Sequence, residues 1–261
     1  MQSVENYVFD MKIPIFGAFT RLNMPAKDYL LMKKIVFLTG AGASAESGIR
    51  TFRDSDGLWE EYSIEDVCTP EGYAKNPKLV IDFYNQRRKQ LLNVAPNRCH
   101  ELISQLQDRF DVRVITQNVD NLHERAGSRN VVHLHGELTK VTSSIEPNNH
   151  KYIKELQPDN YIIKMGDLAD DGSQLRPFIV WFGESVPNIG IAEDIVEEAD
   201  IFVIVGTSLN VYPAAGLLYY TKPGVPTFLI DPSDVDTKGR PGVIHIKMGA
   251  GAGMEELIKR L

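Results

Sequence analysis

A chain of 261 residues, 43% of them hydrophobic, is long enough for one large or two small domains around a sizeable core. Its formal net charge of -7 argues against a nucleic-acid partner, because such proteins gather Lys and Arg on one face. With only Cys68 and Cys99, the chain has neither a disulfide framework nor a CxxC pair for a thiolate zinc site, and a cytoplasmic location is expected.

Residues 1–31 are irregular, and Met32-Lys33-Lys34 reads as a natural start. An N-terminal extension, upstream-derived or genuine, is therefore expected ahead of a main domain over 32–261. No apolar stretch reaches the roughly 18 residues of a membrane span, and no basic segment leads into an apolar one as in a signal peptide, so no membrane partner is expected.

The run Ile35 to Thr39 reads as a buried strand, and Gly40 to Ala45 follows it with almost no side-chain bulk. Its form is G-x-G-x-x-A. Small residues let a backbone approach a pyrophosphate, whose charge is stabilised at the start of the next helix. A tight strand-to-helix turn also wants glycine on geometric grounds alone. An ordinary dinucleotide unit places an acidic residue about 20 positions further on for the ribose. Here that window reads RDSDGLWEEY, a loop rather than a strand end, which counts against a simple dehydrogenase.

Helical spacing runs over Asn76 to Leu92 and over Pro96 to Phe110, the latter with Leu102, Ile103, Leu106 and Phe110 on one side. In the first, Tyr84 and Arg87 stand three apart and share a face. A phenol and a guanidinium together suit a carboxylate, although a solvated basic helix face is the plainer reading of the spacing. The apolar run Val112 to Thr116 ends in Gln117-Asn118, and Asp120, Asn121 and His123 follow at the strand end, where side chains reach a ligand crevice. Asp120 or Asn118 would equally serve as a helix cap.

His133 and His135 alternate on one strand face, and Gly136 ends that strand and exposes the second imidazole. A metal pair, a catalytic base and a satisfied rim histidine all remain open, and a metal would need further ligands. From Thr142 to Arg176 the chain turns polar and reads as a small inserted subdomain. Asp200 to Val205 then leads into Gly206-Thr207-Ser208, Thr227 to Ile230 into Asp231, and Leu257 to Leu261 forms a closing helix. This alternation predicts an α/β fold, a Rossmann-like doubly wound parallel sheet with a small inserted subdomain.

Taken together, five stretches resemble the sirtuins, the NAD-dependent protein-lysine deacylases. They are GAGASAESGIRTFR from Gly40, TQNVDNLHERAG from Thr116, HLHGEL from His133, VWFGE from Val180 and GTSLNVYPAA from Gly206, in family order over roughly Lys33 to Leu261. The resemblance implies that Gly40, Ala41, Gly42 and Ser44 cradle the NAD phosphates and that Phe52 and Arg53 belong to a loop over the cofactor. It implies that Gln117, Asn118 and Asp120 surround the nicotinamide and its ribose, with Asn118 taking part in catalysis. Gly206, Thr207 and Ser208 match a second phosphate and ribose contact. Asp231 stands where the family commonly has Asn for the adenosine ribose, and Ala250 lies in the adenine loop.

By the same resemblance His135 is the catalytic base. The acyl oxygen of a modified lysine attacks the ribose as nicotinamide leaves, and His135 then takes a proton from a ribose hydroxyl. The products implied are lysine, nicotinamide and an O-acyl-ADP-ribose. An acyl-lysine peptide enters as an added strand against Val180, Phe182, Gly183 and Glu184, with Val180 accepting from the acyl-lysine amide. A monomer is expected.

Two departures bear on substrate and metal. Tyr84 and Arg87 match the pair that marks the desuccinylase-like branch, where they bind a dicarboxylic acyl tail such as succinyl or malonyl. That branch usually has Ala where this chain has Cys68, which leaves the choice between acetyl and succinyl open. Most sirtuins also hold a structural zinc through two cysteine pairs after the catalytic histidine, whereas this chain has Ser143 near the first position and no later cysteine, so no metal is expected. An ADP-ribosyltransferase, a branch that tends to alter the catalytic histidine, or a catalytically weak NAD-binding sensor are the alternatives.

Overall fold

The computed structural model describes residues 32–49, 62–237 and 239–261, so the expectations for residues 1–31 and for Phe52 and Arg53 lie outside the described residues. The first strand, β1 (Lys34–Thr39), is buried along nearly its whole length and runs beside β2 (Asp111–Thr116) on one side and β7 (Ile201–Val205) on the other. With β3 (Val131–His133), β8 (Thr227–Ile230) and β9 (Val243–Ile246) they form a six-stranded parallel sheet in the order β3-β2-β1-β7-β8-β9. The chain therefore winds outward from β1 in one direction and, from β7, in the other. The switch between the two windings lies at the carboxyl ends of β1 and β7, the place where open α/β sheets leave a crevice.

Both faces of the sheet are covered at its centre, which is why β1, β7 and β8 are largely apolar and buried. Ile35, Phe37, Val203 and Val205 pack with Leu102 and Ile103 from the helix Arg98–Gln105 and with Met254 and Leu257 from the helix Ala250–Ile258. Val36, Leu38, Phe202 and Ile204 point the other way, toward Ala192, Val196, Leu217 and Leu218. The alternation follows from the two-residue period of a strand.

Short α1 (Ala41–Ala45) follows β1. Next come α2 (Ile64–Val67), α3 (Pro70–Lys75) and the long α4 (Pro77–Leu92). Asn76 is the cap of α4, not part of it: its side chain accepts from the Leu79 amide. The second predicted helix is shorter than its spacing implies. Asn97 and His100 form a capping box, so α5 (Arg98–Gln105) starts after Asn97 and tightens into a 3-10 turn over Leu106–Asp108. The other α-helices among the described residues are α6 (Leu122–Arg125), α7 (Ile189–Glu197) and α8 (Ala250–Ile258). The closing helix thus begins at Ala250, well before the expected Leu257, because the glycine-rich turns ahead of it wind into the helix against Ile230.

A second, antiparallel sheet is built from β5 (Lys154–Glu155), β4 (Gly136–Ser143) and β6 (Leu175–Ile179), in that order. His133 and His135 do not share one strand. β3 stops at His133, and the chain turns so that β4 starts at Gly136, which pairs with Ile179. Gly136 has φ +82°, and a Cβ there would come 2.2 Å from the Phe178 carbonyl oxygen, so glycine makes this turn possible. The described residues from Met32 to Leu261 form one compact unit.

Candidate active site

Two glycine turns meet at the switch point. Gly40 donates to the Val205 carbonyl and Gly42 to the Gly206 carbonyl, both at 2.9 Å. A Cβ on Gly42 would come 2.7 Å from Gly206 Cα, and one on Gly206 would come 2.4 Å from the Ala43 nitrogen. The small residues are thus required first by the approach of one turn to the other. This packing leaves the edges of both turns facing a cavity of about 440 Å³.

That cavity is lined by Gly40, Ala41, Ser44, Gln117, Asn118, Asp120, Gly206, Thr207 and Ser208, and by His135. The same cavity is lined by Cys68, Tyr84 and Arg87 and by Val180, Phe182, Gly183 and Glu184. Gly42, Asp231 and Ala250 are not part of its lining. Gly42 sits beneath the paired turns, Asp231 is buried at the end of β8 with Oδ1 accepting from the Ser233 amide, and Ala250 starts α8.

A polar network ties the strand ends together. Asn118 Nδ2 donates to the Gly40 carbonyl and to Ser44 Oγ, both at 3.0 Å. Ser44 Oγ donates to Asp120 Oδ2 at 2.9 Å, and Asp120 Oδ1 accepts from the Leu122 amide at the start of α6, whose N-cap is Asn121. Gln117 Nε2 donates to Thr207 Oγ1 at 3.1 Å across the two windings.

The spacing of His100 gave no sign that it joins this network. Its Nδ1 accepts from the Asn97 amide at 3.2 Å, so its proton sits on Nε2, 3.4 Å from Ser44 Oγ. The capping pattern N-x-x-H at Asn97 was the signal available. Burial holds the His100 pKa below its usual value despite Asp120 and Glu124 nearby, in keeping with a neutral ring.

The two histidines of the HLH stretch are set up differently. His135 is half-buried, and its Nδ1 lies 2.9 Å from the Gln117 carbonyl. A carbonyl can only accept, so Nδ1 carries the proton and Nε2 is the basic nitrogen. Burial pushes the His135 pKa down, partly offset by that carbonyl, and the ring is neutral near pH 7. His133 lies between two acceptors: Nδ1 is 3.0 Å from the Asn118 carbonyl and Nε2 is 2.8 Å from Glu124 Oε1. Burial pushes its pKa down, but the Glu124 carboxylate more than offsets this and holds it above the usual value. His133 therefore steadies the backbone of Asn118 rather than facing a ligand.

The other part of the cavity is built on α4. Val67, Phe83, Tyr84 and Leu91 pack with Leu138, Ile179 and Trp181, which fixes α4 against β4 and β6. Trp181 Nε1 donates to Tyr84 Oη at 3.1 Å, and Tyr84 Oη lies 3.4 Å from Cys68 Sγ. Arg87 is 9% exposed, and the plain reading of a solvated basic face does not hold for it. Burial pushes its pKa down, countered by Tyr84, Cys68 and Asp120 nearby. Burial also pushes the Tyr84 phenol well up and the Cys68 thiol up, so both keep their protons.

The segment from Val180 to Glu184 is clasped from behind. Arg176 makes a bidentate pair with Glu184 at 2.7 and 3.0 Å, donates to the Ile179 carbonyl and stacks on the Trp181 ring, with Cζ 3.4 Å from its centroid. The Val180 amide donates to the His135 carbonyl and the Phe182 amide to the Cys68 carbonyl. Among the described residues no group of three His, Cys, Asp or Glu side chains is placed to hold a metal ion, and no helix is long and apolar enough to cross a membrane.

The Sir2 family model matches residues 40–213. An NAD-dependent protein deacylase of Bacteroides thetaiotaomicron is 65% identical over 226 residues, covering 87% of this chain and 97% of that protein. One from Helicobacter pylori is 48% identical, covering 88% of this chain and 98% of its own length. Among solved structures, a Sir2 homologue in complex with NAD superposes with a TM-score of 0.76 at 39% identity, covering 88% of this chain and 89% of the other. A Sir2 protein with a deacetylated p53 peptide and 3′-O-acetyl ADP-ribose superposes at 0.72 and 28% identity, covering 91% and 98%.

Proposed function

The chain belongs to the Sir2 family and is an NAD-dependent protein deacylase, and from that premise we propose that its cavity brings an acyl-lysine side chain to NAD with His135 as the base. The observation that carries this reading is the His135 ring, whose Nδ1 proton is fixed on the Gln117 carbonyl while Nε2 stays basic in a cavity shared with Asn118 and Tyr84. The donor set suits NAD. Asn118 uses its Nδ2 within the protein, which leaves Oδ1 to accept from a ribose hydroxyl, and Thr207 Oγ1 accepts from Gln117 and from the Leu209 amide, which leaves its own hydrogen to donate.

In this reading Gly40, Ala41, Ser44, Gly206, Thr207 and Ser208 hold the phosphates and riboses, while Gln117, Asn118 and Asp120 surround the nicotinamide end. Gly42 acts by letting the two turns meet, and Asp231 and Ala250 border the adenosine end. Bound NAD supplies an activated ribose carbon and a nicotinamide leaving group. His135 takes a ribose hydroxyl proton at Nε2, and Asn118 orients that ribose. Val180 spends its amide on His135, so its carbonyl is the group that serves the acyl-lysine amide. Nicotinamide release that depends on an acyl-lysine peptide tests the reading, and release without peptide would favour ADP-ribosyl transfer.

The pH profile follows from the lowered His135 pKa. Deacylation kcat/KM is expected to rise through a pKa below about 6.5 and to be level by neutral pH, because only neutral imidazole accepts the proton. A rise centred above pH 7 would remove His135 from that role.

Tyr84 and Arg87 are proposed to receive a carboxylate at the end of a succinyl or malonyl chain, supported by their burial in the same cavity as His135. Residues 142–176 are proposed to form a small domain that needs no zinc. Ser143 Oγ donates to Asp171 at 2.5 Å and accepts from the Ile145 and Glu146 amides, while Ser173 Oγ donates to the other Asp171 oxygen. These bonds supply the loop closure that a metal would otherwise supply. Ser143→Ala is expected to lower the unfolding midpoint, and protein purified without added metal is expected to carry no zinc; stoichiometric zinc would overturn this. The cytoplasmic reading is supported by two free, buried cysteines, and the monomer expectation is open to a light-scattering mass measurement.

A further inference from the structure

The hydrogens in the chain from Trp181 to Cys68 can be assigned. Indole Nε1–H only donates, so Tyr84 Oη accepts it. The phenol then keeps one hydrogen of its own. Cys68 Sγ lies 3.4 Å from Tyr84 Oη, where either atom can donate and the phenol is the stronger donor of the two. Cys68 is 8% exposed and lines the same cavity as Tyr84 and Arg87. Any carboxylate reaching Tyr84 must draw the hydroxyl hydrogen away from Cys68.

We propose that Cys68 is a specificity-determining residue, holding the Tyr84 hydroxyl hydrogen on its sulfur and thereby biasing the pocket toward uncharged acyl chains over dicarboxylic ones. This rests on the reading of Tyr84 and Arg87 as the carboxylate-binding pair. An uncharged chain such as acetyl makes no demand on the phenol hydrogen and leaves the Trp181–Tyr84–Cys68 chain in place. A succinyl chain needs that hydrogen and takes it only by breaking the bond from Tyr84 to the sulfur. The effect is thus on the ratio of two substrates and not on the chemical step they share.

The test is a double-mutant cycle in kcat/KM for paired succinyl-lysine and acetyl-lysine peptides, using the wild type, Cys68→Ala, Tyr84→Phe and the double variant. Cys68→Ala is expected to raise the succinyl-to-acetyl ratio about fivefold, the worth of one ordinary hydrogen bond, and to leave it unchanged in the Tyr84→Phe background. A ratio that stays level or falls in Cys68→Ala would overturn the proposal, as would an equal rise in the Tyr84→Phe background, which would mean that added space alone is responsible. If Tyr84→Phe and Arg87→Met both leave succinyl turnover unchanged in the wild-type background, the carboxylate-binding reading itself fails and the proposal fails with it. If Tyr84→Phe lowers succinyl turnover but Cys68→Ala has no Tyr84-dependent effect, only the role of Cys68 is lost.

Discussion

Replacing His135 with Ala is expected to lower deacylation kcat/KM by about a hundredfold to ten-thousandfold, the range that one general base contributes. The side chain is half-buried, and the hydrogen bond recorded for it goes to the Gln117 carbonyl, so the fold should survive its removal. NAD affinity, measured by calorimetry, should change little, because the residues of the two glycine turns that are proposed to hold the phosphates are untouched. Equal losses of binding and turnover would mean that His135 positions NAD rather than moving a proton. His133→Ala should behave differently. It removes the hydrogen bond to the Asn118 carbonyl and leaves Glu124 without its partner, so its first effect falls on stability and on the placement of Asn118.

Gly206→Ala is expected to cost about 3–4 kcal/mol or more of folding stability, which places it among the most destabilising single changes this fold can suffer. Gly206 has φ +64°, and its added methyl would lie 2.4 Å from the Ala43 nitrogen and 2.7 Å from Gly42 Cα. Neither neighbour is a flexible side chain that can swing away. The turns could separate only by breaking the Gly42 bond to the Gly206 carbonyl, and that would misplace Thr207 and Ser44 together. Chemical denaturation should show the loss directly. A variant within about 0.5 kcal/mol of the wild type would show that the two turns do not constrain each other.

Much of this was legible in the residues because the sheet is parallel. Ile35 to Thr39, Ile201 to Val205 and Thr227 to Ile230 are buried on both faces, so each stands out as an apolar run that ends in polar residues, whereas Val112 to Thr116 is interrupted by the half-exposed Arg113. The half-exposed β9, with Ile244 exposed and Val243 and His245 only partly buried, gives no such run. Helix ends were less legible, since Asn76 and Asn97 fit helical spacing yet serve as caps. Burial was least legible. Nothing in the spacing of Tyr84 and Arg87 told a solvated face from a pocket, because that depends on Trp181, almost a hundred residues away, closing over α4. Separation along the chain, here 56 residues, also hid His100, which reaches Ser44 only once α5 has packed against the first glycine turn.

Mass spectrometry of acyl-lysine peptides incubated with NAD, run beside His135→Ala, tests the central claim most directly. The account predicts loss of the acyl group matched one for one by nicotinamide and O-acyl-ADP-ribose, with O-acyl-ADP-ribose formation by the variant lower by at least about a hundredfold. NAD consumed while the peptide keeps its acyl group, or equal turnover by His135→Ala, would contradict it.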